Sequence, residues 1–99
     1  MFRGVFSIFV SIVLCGGALA AGVKLEHLWT LDGLMAPESV AVGGDGTFLY
    51  VSNINGEADA VDGNGFISRV SLDGRMLQQK WAVGLDAPKG LVLKGDRLF

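Results

Sequence analysis

The stretch Gly33-Leu34-Met35-Ala36-Pro37-Glu38-Ser39-Val40-Ala41-Val42 returns 51 residues later as Gly84-Leu85-Asp86-Ala87-Pro88-Lys89-Gly90-Leu91-Val92-Leu93. Glycine, leucine, alanine and proline recur in place, and the apolar alternation after the proline is kept. The match continues through a Gly-Asp pair in both copies, at residues 44–45 and 95–96. The chain is therefore predicted to contain one unit of about 50 residues and the beginning of a second, a period that is typical of repeat architectures.

Short strands are predicted throughout the first unit. Asp-Gly pairs at residues 45–46 and 73–74 lie between apolar runs, which is a strong hairpin signal. Aromatic and β-branched residues are concentrated in the runs between these turns. Strands are expected at residues 39–42, 48–52, 66–72 and 77–83, with a further strand within residues 23–31.

Four antiparallel strands joined by three turns make one blade of a β-propeller. We therefore predict an all-β protein with one complete four-stranded blade at about residues 36–83 and a second blade beginning at about residue 84. One blade cannot bury both of its faces, so the remaining blades of a closed ring would be required and the sequence is predicted to be an N-terminal fragment of a longer propeller. A complete small β domain is the alternative.

The first 20 residues have the pattern of a secretory signal peptide. Arg3 precedes an apolar run at residues 5–14, and the small-x-small sequence at residues 18–20 predicts cleavage after Ala20. Residues 21–99 would then be the exported part, periplasmic or secreted, with no stable membrane association. The alternative is an uncleaved N-terminal anchor, because residues 4–23 carry no charge over a length that spans a bilayer.

The composition argues against one class of partner and indicates what stabilises the protein. The only cysteine, Cys15, falls within the predicted signal peptide, so no disulfide is expected in the exported part. The net charge is −2 and no basic stripe is present, which argues against a nucleic-acid partner. Stability must therefore come from packing.

The chemically richest segment is the polar loop between the second and third predicted strands. Its amide and carboxylate side chains are candidate ligand groups: Asn53, Asn55, Asp59, Asp62 and Asn64. The run at residues 62–65 begins like a calcium loop, but Phe66 stands where a third oxygen ligand is required. The alternative is a turn-rich loop in which Asn-Gly pairs supply positive φ angles.

Several segments together resemble one known group of proteins. They are similar to the gluconolactonase, senescence-marker-protein and luciferin-regenerating-enzyme family and to the wider class of NHL-type propellers, over residues 31–99. The motifs that carry this resemblance are Pro37-Glu38-Ser39-Val40, Leu49-Tyr50-Val51-Ser52-Asn53, Gly65-Phe66-Ile67-Ser68-Arg69-Val70, Leu72-Asp73-Gly74 and Asp86-Ala87-Pro88-Lys89-Gly90-Leu91.

The resemblance implies a six-bladed propeller that holds a divalent cation, calcium or zinc, at one end of its channel and hydrolyses sugar lactones. Glu38 matches a metal ligand of the family. A second ligand of the family is an asparagine in a Pro-Asn-Gly segment, and Lys89 replaces it here. A protonated ammonium has no lone pair with which to bind a metal, so this replacement argues against the family's metal site.

Glu38 and Lys89 occupy equivalent places in the two copies, and three interpretations follow. They form an ion pair between neighbouring blades, or Lys89 binds a small polar or anionic ligand at the channel mouth, or Glu38 binds a metal. We favour an exported propeller with a binding or scaffold role. The alternative function is a metal-dependent hydrolase of the lactonase type whose other active-site residues lie beyond residue 99.

Overall fold

The protein is all-β in the part that the structure describes. The computed structural model describes the backbone of residues 6–11 and the complete residues 22–99. Strands β1 to β8 follow one another in the chain, and residues 6–11 and 22–99 contain no α-helix. Their bounds are β1 Phe6–Ser11, β2 Leu25–Leu31, β3 Pro37–Val42, β4 Phe48–Asn53, β5 Gly65–Ser71, β6 Met76–Leu85, β7 Leu93–Lys94 and β8 Arg97–Leu98.

Strands β3, β4, β5 and β6 form one antiparallel sheet in sequence order. This confirms the four-stranded antiparallel sheet predicted from the first unit, and each strand lies within a few residues of its expected place. Leu49 pairs with Val70 and Val51 pairs with Ser68, so Leu49, Val51 and Val70 share one face of the two central strands. The pairing of β5 with β6 is less regular, with register shifts at three places.

The core lies on one face of this sheet and is covered by the segment that precedes it. Its buried residues are Leu34, Leu49, Val51 and Val70, and Trp29, Leu31 and Met76 pack around them. The Trp29 indole also donates a hydrogen bond of 2.9 Å to the carbonyl of Leu72. Its ring lies so close to Gly74 that a side-chain carbon there would come within 2.6 Å. This contact explains why the β5–β6 turn carries a glycine.

The opposite face of the sheet carries an aromatic row and one cation. The ring centroids of Phe48 and Tyr50 are 5.0 Å apart, and those of Tyr50 and Trp81 are 4.8 Å apart. The guanidinium carbon of Arg69 lies 4.1 Å from the centre of the Phe48 ring. Beside this row, β7 and β8 form a short antiparallel hairpin from the second copy of the motif.

The N-terminal hairpin pairs β1 with β2 in antiparallel register. The strand expected within residues 23–31 is confirmed as β2. The predicted signal peptide and the alternative anchor fall largely on residues 1–5 and 12–21, which lie outside the described residues, so both stay predictions. Within residues 6–11 and 22–99 there is no helix long and apolar enough to cross a membrane.

Candidate functional site

The antiparallel order of the sheet gathers the candidate residues at one end. β3 begins, β4 ends, β5 begins and β6 ends at that end. Glu38, the polar loop at residues 54–64 and the segment at residues 86–90 therefore lie close to one another. We call these three segments the loop end.

Asn53 is fully buried and is part of the framework of the loop end. Its side-chain Oδ1 accepts a hydrogen bond of 2.9 Å from the backbone N–H of Met35. Its Nδ2 donates to the hydroxyl of Ser68 at 3.0 Å and to the carbonyl of Val51 at 3.1 Å. The prediction of Asn53 as a ligand residue is corrected here, because burial and these bonds leave its amide no free face for a ligand.

The remaining loop candidates make turns. Asn55 has a φ of 49°, and its Nδ2 donates to the carbonyl of Asn64 at 3.0 Å. Asp62 Oδ1 accepts the backbone N–H of Asn64 at 3.0 Å. Asp59 is exposed near the middle of the loop. These observations match the turn-rich alternative, in which polar side chains bond to nearby backbone groups.

Two side chains of the second copy hold the loop in place. Asp86 Oδ1 accepts the backbone N–H of Gly63 at 2.9 Å. The Lys89 ammonium donates to the carbonyl of Ala58 at 2.6 Å and to the carbonyl of Ala87 at 3.1 Å. The conformation of the loop at residues 54–64 thus depends on the segment that begins the second unit.

Glu38 and Lys89 do not form the ion pair that their equivalent positions suggested. The ammonium of Lys89 is occupied by two backbone carbonyls, and Glu38 Oε2 accepts a hydrogen bond of 2.5 Å from the hydroxyl of Ser39. The expectation of a pair between the two copies was wrong, because the loop brings Ala58 to the ammonium. Each of the two residues is exposed.

The geometry of the loop end supplies no assembled metal site in the described ranges. In residues 6–11 and 22–99, no group of three or more His, Cys, Asp or Glu side chains lies at metal-binding distance. Glu38 would contribute a single carboxylate to such a site, whereas calcium takes six to eight oxygen ligands. Calcium or zinc binding therefore remains a prediction that rests on the resemblance.

An open groove lies between the β7–β8 hairpin and the face of the sheet that carries the aromatic row. Its volume is about 420 Å³, within the usual range for small-molecule sites. The lining is mainly apolar, with Lys89 at the loop end as its cation; the apolar residues include Ile67, Trp81, Leu91, Leu98 and Phe99. Such a groove is suited to an apolar group that carries a negative charge.

Two residues of this region were missed from the sequence. Asp86 bonds the loop to the second copy of the motif. Arg69 lies on the face that carries the aromatic row, and its buried Nε atom has no hydrogen-bond partner. The sequence signal for Arg69 is a single cation within a largely apolar strand. Because side chains alternate between the two faces of a strand, its position places it on the face that carries the aromatic row. Asp86 carried no signal apart from its place between two repeated residues.

The opposite end of the sheet carries its own charged turns. Thr47 donates from both its hydroxyl, at 2.7 Å, and its backbone N–H, at 3.1 Å, to Asp45, and these bonds hold the pKa of Asp45 below its ordinary value. The hydroxyl of Ser71 and the guanidinium of Arg75 lower the pKa of Asp73 in the same way. Both carboxylates are exposed and stabilise hairpin turns.

Comparison with known proteins identifies no relative of this chain. No protein-family model matches the sequence. Neither a curated protein nor a solved structure is significantly similar to it.

Proposed function

We propose that this chain belongs to an exported β-propeller and has a binding or scaffold role, with recognition at the loop end and the adjoining groove. The observation that carries the proposal is that the second motif copy and the first sheet together line the groove. Leu91 and Leu98 of the second copy line the groove together with Ile67 and Trp81 of the sheet. Their counterparts in the first copy, Val40 and Leu49, lie on the core face.

This arrangement supports sheets that stack face to face. In the first copy these apolar residues face the core. In the second copy the matching residues face the aromatic row of the first sheet. The backbone conformation also recurs: φ is 95° at Gly33 and 76° at Gly84, and 52° at Ala36 and 44° at Ala87. Stacked repeats of this kind bury their apolar faces against one another.

The aromatic row gives further support. Trp81 is 40% exposed, and the Nε atom of Arg69 is buried without a partner. An unpartnered buried donor is costly, and aromatic and arginine side chains are enriched where protein surfaces meet. The rest of a second sheet, packed on this face beside the groove, would cover Phe48 and supply an acceptor to Arg69.

The ligand class follows from the groove. Its apolar walls and the Lys89 ammonium favour a small molecule with an apolar body and an anionic group. A naphthalene sulfonate dye has this chemistry and is a suitable probe. We expect dye binding to weaken several-fold in Lys89→Gln and to be unchanged in Lys24→Gln, which removes an exposed lysine from outside the groove.

Fluorescence titration measures both variants against the unaltered chain. Equal weakening in the two variants would indicate general charge attraction and would contradict the role of Lys89. Hydrogen exchange provides a second check, because the amides of β7 and β8 should lose protection in Leu91→Ser if stacking on the sheet holds the hairpin. Unchanged protection would contradict the stacking.

The second candidate function is a metal-dependent hydrolase of the lactonase type. The observation in its favour is the exposed Glu38 carboxylate at the loop end, where the resemblance requires a metal ligand. It predicts bound calcium or zinc in the full propeller and loss of that metal in Glu38→Gln. Metal content measured on the folded protein decides between the two functions, since the binding proposal requires no metal.

A further inference from the structure

The polar loop contains two Asn-Gly dipeptides, Asn55-Gly56 and Asn64-Gly65, and the structure places them in different surroundings. An asparagine followed by glycine is open to attack on its side chain by the next backbone nitrogen, since glycine has no side chain to obstruct the approach. The two dipeptides lie at opposite ends of one loop, so each serves as an internal control for the other.

Asn55-Gly56 lies in an irregular part of the loop. Asn55 has a φ of 49°, Gly56 has a φ of 150°, and Gly56 is exposed. The carboxylate of Asp62 is close by, since its Oδ2 lies 3.1 Å from the position that a side-chain carbon on Gly56 would occupy. This carboxylate is suited to receive a proton from the Gly56 amide.

Asn64-Gly65 is held by the sheet. Gly65 is buried, opens β5 and pairs with Leu85 of β6. A side-chain carbon on Gly65 would lie 2.2 Å from Pro88 Cδ and 2.8 Å from the carbonyl oxygen of Leu85. The Gly65 backbone therefore has to leave the ladder before its nitrogen can reach the Asn64 side chain.

We propose that Asn55 is a site of spontaneous modification, in which the chain cyclises at Asn55-Gly56 with Asp62 as proton acceptor. The Gly56 nitrogen forms a bond to Asn55 Cγ and loses its proton to Asp62. The Cγ–Nδ2 bond breaks, and ammonia leaves after taking up a proton. Solvent water then opens the succinimide ring at either carbonyl, which leaves aspartate or isoaspartate.

The modification removes one of the bonds that close the loop. Asn55 Nδ2 donates to the carbonyl of Asn64 at 3.0 Å, and a carboxylate at position 55 repels that oxygen. The new charge also adds to the carboxylates of Glu57, Asp59 and Asp62 on the same loop. The loop is therefore expected to open at its base while Asp86 and Lys89 still hold Gly63 and Ala58.

Peptide mapping by mass spectrometry tests the proposal on the folded chain during incubation in neutral buffer. We expect conversion at Asn55 at least about tenfold faster than at Asn64, which corresponds to about 1.4 kcal/mol of local opening at β5. In urea the two sites should react at similar rates, since both are then Asn-Gly in an unfolded chain. Equal rates in the folded chain, or faster conversion at Asn64, would overturn the proposal.

Asp62→Ser tests the proton acceptor. Serine keeps an oxygen that can accept the Asn64 N–H but has no carboxylate to take up a proton. We expect slower conversion at Asn55 in this variant when folded and no difference from the unaltered chain in urea. An unchanged rate in the folded variant would overturn the role given to Asp62.

Discussion

The two copies of the repeated motif have the same backbone turns but strands of different length. In the first copy, β3 and β4 have six residues each. In the second copy, β7 and β8 have two residues each. The positive φ angles at the matched glycine and alanine recur in both.

The recurring turns show what a local sequence decides. The turn before each hairpin depends on a few adjacent residues, so it forms in both copies. The pairing of β7 with β8 stops at the end of the given sequence, since Phe99 directly follows β8. In the first copy, β4 pairs on both sides, and its residues Leu49 and Val51 share the core with Leu34.

The largest expected effect comes from one leucine that recurs. Leu49 is buried in the core at 7% exposure, and its counterpart Leu98 is half-buried beside the groove. Leu49→Ala should lower the free energy of unfolding by about 2–5 kcal/mol, because it leaves a cavity in a packed core. Leu98→Ala should lower it by about 1 kcal/mol or less, because less apolar area is removed from water there.

Urea unfolding of the two variants measures this difference. The slope of the transition should stay the same if each variant unfolds in one step. Equal losses from the two substitutions would show that the hairpin of the second copy belongs to the same core as the first sheet.

A smaller effect is expected at the alanine with positive φ. Ala36 is exposed with a φ of 52°, and a residue with a side chain is strained there by about 1 kcal/mol. Ala36→Gly should therefore stabilise the chain slightly, by a few tenths of a kcal/mol after the greater freedom of glycine in the unfolded chain is counted.

The matched variant Ala87→Gly should bring no gain. Ala87 has a φ of 44° but is only 6% exposed, so glycine relieves the same strain and removes a buried methyl group worth about 0.8 kcal/mol. Thermal unfolding compares the two. A larger gain at position 87 than at position 36 would contradict the equivalence of the two turns.

The smallest expected effect concerns acid and the first hairpin turn. Hydrogen bonds from Thr47 lower the pKa of Asp45 in the folded chain. A carboxylate with a lowered folded pKa stabilises the protein above its unfolded pKa, and this contribution is lost as the pH falls through the folded pKa. The equivalent turn of the second copy has Leu98 two residues after Asp96, where no hydroxyl is available.

We therefore expect Thr47→Val to destabilise the chain slightly at neutral pH and to have less effect in acid, where Asp45 is protonated in both proteins. Urea midpoints measured from neutral pH down through the titration range of aspartate give the comparison. Asp73 titrates in both proteins and cancels in the difference. A difference that stays constant with pH would contradict the link to Asp45.

The fold of the sheet could be predicted because its signals are local. Asp-Gly pairs marked the hairpin turns, and alternation in the run from Phe66 to Val70 assigned side chains to the two faces. The outer strand was recognised from Gln78, Gln79 and Lys80, which are exposed on β6. Each of these features depends on residues within one strand or turn.

The site was less predictable because its contacts join distant parts of the chain. Asn53 was expected to face a ligand, but bonds to Met35 and Ser68 bury it. Lys89 was expected to meet Glu38, but the carbonyl of Ala58 is within reach of its ammonium. A backbone carbonyl is available at every residue, so no sequence pattern indicates which one a lysine will contact.

The irregular pairing of β6 has a consequence for association between molecules. β6 is the longest strand at ten residues, lies at the edge of the sheet and is mostly exposed. Its pairing with β5 is irregular at three places, and such irregularities bend and twist an edge strand away from an incoming partner. Lys80 adds a charge to this edge. This edge is therefore a poor template for the growth of a fibril by strand addition.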